Sequence, residues 1–191
     1  VVSGERDIKK LTKHHIVPIS YRRHFPLEYK SRNHHDVVYI TEDMHDEYER
    51  IGNIFRDELA KKYGSMTYNE ATAHFTKMMD SPHVRKLKQV KGYLNAINEY
   101  PDELPDTRYS IMLDVVLSYI KETYDVETAE ITEYWSERVL TDIASDLDTL
   151  RNTYRIDPYK DLIDKVGDIG VFVKLWRQHF IDTMKPKFMP T

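Results

Sequence analysis

The sequence predicts a mainly α-helical protein: a small strand, strand, helix element followed by an all-helical bundle. Three observations carry this. Two short runs rich in β-branched residues, "KKLTKHHIVPI" and "HDVVYI", lie near the amino end between polar or proline punctuation. Next, "TEDMHDEYERIGNIFRDELAKKYG" repeats apolar residues at spacings of three and four. Beyond it the helical pattern persists, with prolines at or near the segment ends, where helices tolerate them.

The first two runs are read as short strands. Between them "SYRRHFPLEYKSRNH" is polar and carries Pro26, so a loop is expected. Thr41 suits a helix N-cap, Glu42 and Asp43 complement the positive end of the helix dipole, and Gly64 suits the C-terminal cap. Met44, Tyr48, Ile51, Phe55 and Leu59 form that helix's apolar stripe. Downstream the expected helices are Tyr68 to Met79, His83 to Tyr100, Thr107 to Tyr124, Thr128 to Tyr154, Tyr159 to Val166 and Asp168 to Met184. The longest could divide in two. Apolar residues on more than one face of Thr107 to Tyr124 place that helix centrally in the bundle. The domain division expected is 1–65 for the strand, strand, helix element and 66–191 for the helical part.

With 191 residues, 40% hydrophobic and 31% charged, the chain has a globular composition. No apolar run approaches the roughly 20 residues that cross a bilayer, and "VVSGERDIKK" lacks the apolar core of a signal peptide. The start at Val1 reads as the start of a piece of a longer protein. Nothing in the segment targets it; an intracellular setting, nuclear or mitochondrial, is the expectation. Absence of cysteine excludes disulfides and thiolate zinc sites, so any metal must be held by His, Asp, Glu or Asn. The net charge of −4 argues against a uniformly basic coat, but its distribution is uneven. Residues 1–40 hold eight Lys or Arg against four acids, and residues 102–149 three against thirteen.

Six of the nine histidines, His14, His15, His24, His34, His35 and His45, fall within residues 14–45. The end of the first strand and the start of the helix can meet, which brings His14, His15 and His45 together. Adjacent strand residues point to opposite faces, so His14 and His15 are expected to do separate jobs. Hydrolysis of a phosphodiester with one divalent metal wants this arrangement. Two side chains hold the ion while a neutral imidazole takes a proton from the attacking water.

"HHIVP", "HHDVVYI" and "MHDEYE" resemble the HNH, or ββα-metal, nuclease signature. A closer similarity is to the C-terminal HNH-like region of eukaryotic exonuclease-domain-containing proteins of the DnaQ-like type, through "HFPLEYKS", "HDVVYI" and the final "LWRQHFIDTMKPKFMP". The resemblance implies His14 and His45 as metal ligands, His15 as general base, and Asp36 in the place of the family's Asn, bracing the loop or orienting His15. His35 and Asn33 are alternatives for that supporting role. Arg22, Arg23, Lys30 and Arg32 would grip phosphates from the loop. The implied cofactor is a divalent metal, Mg²⁺ or Mn²⁺, and the implied partners are nucleic acid, DNA or RNA, and an exonuclease domain of the same chain. Thr41 and Met44 stand where many such elements carry a Cys-x-x-Cys pair, so no structural zinc is expected. Packing of Met44, Tyr48 and Phe55 beneath the hairpin would supply that support.

Blander readings stand beside these. The histidines could be scattered turn residues, and the basic loop a solvated face. Arg85, Lys86, Lys88 and Lys91 read as solvating, and Trp135 and Trp176 as core. The acidic helices would face away from nucleic acid, toward a protein partner or a second copy. The leading expectation is a metal-dependent nuclease module. Its alternatives are an inactive HNH-derived scaffold mediating protein contact or dimerisation, and nucleic-acid binding without cleavage.

Overall fold

The structure, a computed structural model, describes residues 8–30 and 36–187. A 3-10 turn, Ile8–Lys10, leads into β1, Leu11–His15, which pairs antiparallel with β2, Val37–Thr41. His14 lies opposite Val38 and His15 opposite Val37. Alternation across the strands puts His14 on the inner face with Val38 and Ile40, and turns His15 the other way. Burial follows this register: His14 and Val38 are each 7% exposed, whereas Tyr39 is 52% exposed.

The first strand stops at His15, short of the run to Ile19 read from sequence, because Ile16 and Val17 enter a bend ahead of Pro18. The stretch expected as a loop contains a four-residue helix, α1, Ile19–Arg22, and a 3-10 turn, Leu27–Tyr29. Pro18 holds φ at −55° ahead of the first, and Pro26 does the same at −57° for the second. Tyr21 and Phe25 are buried, which draws the segment onto the core.

Helix α2 spans Glu42–Lys62. Thr41 stands at its N-cap, as expected, though its side chain makes no capping hydrogen bond. At the other end Gly64 takes φ +68°, and Ser65 N donates to Ala60 O at 2.8 Å while Gly64 N donates to Lys61 O. This is a Schellman closure, and it needs the left-handed residue that glycine supplies.

The remaining helices are α3, Tyr68–Met79; α4, Pro82–Glu99; α5, Asp106–Tyr124; α6, Glu133–Tyr154; α7, Pro158–Val166; and α8, Ile169–Met184. Helix α6 is continuous but starts five residues later than Thr128, where the Thr132 hydroxyl accepts from Trp135 N. Asp157 and Asp168 cap α7 and α8 in the same way. No helix among the described residues is long and apolar enough to cross a membrane.

Two compact units result: 1–72 with 156–191, and 73–155. Residues 66–191, read from sequence as one helical domain, are thus distributed over both. In the second unit Leu87, Val90, Leu94 and Ile97 of α4 pack with Met112, Val116 and Ile120 of α5 and Val139 and Ile143 of α6. Ile111 is 61% exposed, so α5 buries one face instead of being enclosed all round.

In the first unit, α8 does the joining. Phe180 packs with Ile16, Val38, Ile40 and Tyr48, with Met44 against them. Phe172 and Trp176 of α8 pack with Val17, Tyr21, Leu59 and Leu162, with Phe55 alongside. The strand pair is therefore held between α2 and α8, with Met44 and Tyr48 beneath it, while Phe55 packs on Trp176 and His179 of α8. Each large apolar side chain buried there contributes about 1.5–3 kcal/mol.

Candidate functional site

His14 enters a core position because the strand register sends it inward, and helix α2 begins immediately after β2, which brings His45 over it. The two rings meet edge to face with centroids 5.0 Å apart. Tyr48 meets His14 edge on at 5.2 Å, and Phe180 stacks on it at 6.1 Å. Burial, with smaller contributions from His45 and His15, lowers the His14 pKa to about 4, so the ring is neutral at ordinary pH. Its Nε2 is buried and has no hydrogen-bond partner among the described residues. A buried polar atom left unpaired costs about 1–3 kcal/mol.

A cavity of about 340 Å³ opens beside this pair, lined by His14, His15, His45 and Tyr48. Lys13, Glu49, Gly52, Asn53, Arg56 and Trp176 complete much of its wall. The three buried side-chain atoms without a partner among the described residues are His14 Nε2, Arg56 Nε and Trp176 Nε1, and all belong to residues lining this cavity.

His15 lies on the opposite strand face yet reaches the same cavity, because β1 ends there and the chain bends. Its Nδ1 lies 2.8 Å from Nη1 of Arg22. Arginine only donates, so Nδ1 accepts and the neutral ring carries its proton on Nε2. Burial, Arg22 and Lys13 all lower the His15 pKa, and Asp36 partly opposes them.

The other expected residues fall in different places. Asp36 is buried, but its carboxylate is 3.8 Å from Arg177 of α8 and it does not line the cavity. Its backbone O accepts from Ile16 N, so it braces the mouth of the hairpin. Arg22 is at the site. Arg23 is not, since its Nη2 donates to Asp157 at 2.8 Å. Lys30 donates to the backbone O of Arg23. Arg23 thus ties the loop to the N-cap of α7, Lys30 closes the loop on itself, and neither lines the cavity. Arg32, Asn33, His34 and His35 lie outside the described residues.

Sequence reasoning missed Lys13, Glu49, Gly52, Asn53, Arg56 and Trp176. Four of them have a local signal: Glu49, Gly52, Asn53 and Arg56 follow His45 at helical spacings of four, seven, eight and eleven, hence on one face. Trp176 had none, because only tertiary packing of α8 brings it there. Among the described residues, no group of three or more His, Asp or Glu is assembled in ligating geometry. His14, with its neutral ring and unpaired Nε2, and His45 are two imidazoles that the cavity brings together.

The chain matches no family model, and no solved structure matches it. Its full length aligns with proteins named Exonuclease 3'-5' domain-containing protein 2 from three animals. That of Homo sapiens is 27% identical over 197 residues, that of Drosophila melanogaster 28% over 199, and that of Mus musculus 27% over 195. The chain spans 28%, 30% and 27% of those proteins, respectively.

Proposed function

We propose that this cavity is the centre of an HNH-type, metal-dependent nuclease element that hydrolyses phosphodiesters in nucleic acid. The single observation that carries the reading is the buried, unpartnered Nε2 of His14 set against the His45 ring in a cavity that also holds His15. Relatives named for an exonuclease domain support a nuclease-related role in general. In this reading the segment works beside an exonuclease domain of a longer chain.

His14 and His45 would hold the divalent ion, which when bound polarises the phosphate and stabilises the leaving oxygen. Imidazole ligands favour Mn²⁺ or a later metal over Mg²⁺ on affinity. Lys13, Arg22 and Arg56 supply positive charge for the phosphate. Arg22 leaves His15 for a phosphate oxygen, which frees the Nδ1 lone pair. Nδ1 then takes a proton from water as the water oxygen bonds to phosphorus; the leaving oxygen departs with its bonding pair and is protonated by solvent. His15 ends as an imidazolium that solvent deprotonates.

A second reading is a catalytically silent, HNH-derived scaffold. It draws on the bond from Arg22 that occupies the His15 lone pair. The two separate in a cleavage assay on single- and double-stranded DNA and RNA with Mn²⁺. Cleavage by the wild type, lost in His14→Ala, His45→Ala and His15→Ala, supports the enzyme. No cleavage of any substrate, or cleavage unaltered by the three substitutions, supports the scaffold.

A further inference from the structure

We infer that the cavity takes an unpaired nucleotide, which makes single-stranded nucleic acid the substrate class; the assignment rests on the reading above. A phosphate alone has about the bulk of two or three waters, at roughly 30 Å³ each. The cavity holds about 340 Å³. That volume lies at the low end of the roughly 300–1,000 Å³ of pockets for small organic ligands. It has room for one base and sugar beside the phosphate and none for a duplex, in which each base is already stacked and paired.

The wall carries both chemistries that a nucleotide presents. Lys13 and Arg56 suit its phosphate. Yet more of the wall is apolar than polar, with Pro18, Ile19, Tyr48 and Trp176 contributing to it. A phosphate gains nothing from that surface, whereas an extruded base is held between aromatic and apolar side chains. Ile19 opens α1 directly after Pro18 and is 70% exposed, while Val17 and Tyr21 on either side of it are buried. The apolar side chain left in water is thus the one that belongs to the cavity wall. Glu49, also on the wall, fits the same occupant. Its carboxylate repels a phosphate, but it accepts from a base N–H. Every base has an N–H on its pairing edge, and pairing in a duplex consumes it.

The test is nucleic-acid binding by fluorescence polarisation with a chelator present, so that neither metal nor cleavage enters. Labelled single strands of DNA and RNA are compared with the matching duplexes and with abasic strands, which keep the phosphates and lack the bases. The variants are Ile19→Ala and, as a control, Leu27→Ala, at a residue 83% exposed and off the cavity wall. Both positions are exposed, so neither substitution opens the core. The tighter-binding single strand is expected to exceed its abasic counterpart and its duplex at least tenfold in affinity. Ile19→Ala should weaken single-strand binding at least threefold and leave abasic binding unchanged, with Leu27→Ala within 1.5-fold of wild type. Equal affinity for the single strand and the abasic strand, or equal losses in the two variants, would overturn the inference; Mn²⁺-dependent cleavage lost in His14→Ala would then leave the nuclease reading standing. Base-dependent binding without cleavage of any substrate would sink the nuclease reading and keep the nucleotide site.

Discussion

Arg22 Nη1 donates to His15 Nδ1 across 2.8 Å, and this bond decides which nitrogen of the proposed base carries the proton. The pairing of a donor-only side chain with a neutral imidazole leaves no lone pair for water until the arginine moves. An anionic phosphate gives it a stronger acceptor than the neutral imidazole, because there both partners are charged and the guanidinium can bind two oxygens at once.

Nitrogen NMR of the free protein at pH 8 should therefore show His15 in a single tautomer, protonated on Nε2. In Arg22→Ala both tautomers should be populated. The same variant should bind nucleic acid more weakly, with a salt-dependence slope shallower by about 0.7–0.9, the value for one lost phosphate contact. An unchanged tautomer and slope would remove Arg22 from the site.

Arg23→Ala should leave nucleic-acid affinity near wild type, since Asp157 already holds Arg23. Asp157→Ala should cost stability instead. Asp157 Oδ1 accepts from Tyr159 N at 3.1 Å and Lys160 N at 3.2 Å, and loss of such a cap costs about 1 kcal/mol. Urea denaturation measures the second effect and a filter-binding titration the first.

Metal-free protein should weaken as pH falls from 6.5 toward 4. The folded-state pKa of His14 is depressed to about 4 from an ordinary 6.5, so between these values the unfolded chain binds more protons than the folded one. Stability is fully present above pH 6.5, is lost as pH falls through that window, and the loss totals about 3 kcal/mol. Urea midpoints across the window, with a chelator present, check this. In His14→Phe, which keeps an aromatic ring against Tyr48 and Phe180, that part of the pH dependence should vanish.

Gly52 sits inside α2, where glycine costs about 0.5–1 kcal/mol relative to alanine. A Cβ there would meet Trp176 Cζ3 at 3.6 Å and Tyr48 Cε1 at 3.8 Å, both ordinary contacts. Gly52→Ala should thus raise stability by about 0.5–1 kcal/mol while adding a methyl group to the cavity wall. Thermal unfolding gives the first quantity. Weaker nucleic-acid binding in this more stable variant would identify the glycine as room left for a ligand.

The sequence was most readable where a single element carries its own signals. Helix α3 runs from Tyr68 to Met79 as periodicity and the flanking Gly64 and Pro82 imply, and α2 ends in the Gly64 turn. Helix α1 was hidden because four residues show no period. The division into units was hidden for another reason: α7 and α8 carry ordinary helical patterns, and only long-range packing of Phe172, Trp176 and Phe180 joins them to the strand pair. At the site, order and spacing of His14, His15 and His45 were legible, and the structure brings them to one cavity. The contacts of Arg23 and Lys30 were not legible, since whether a cation faces solvent, a substrate or Asp157 depends on tertiary packing.

The central claim is that the imidazoles of His14 and His45 share one ion. Pulsed EPR of the Mn²⁺-loaded protein measures it most directly, because nitrogen couplings count the imidazoles on the metal. Two coupled nitrogens in the wild type, falling to one in His14→Ala and in His45→Ala, is the predicted result. A bound Mn²⁺ with no nitrogen coupling, or with couplings that survive both substitutions, would contradict the account.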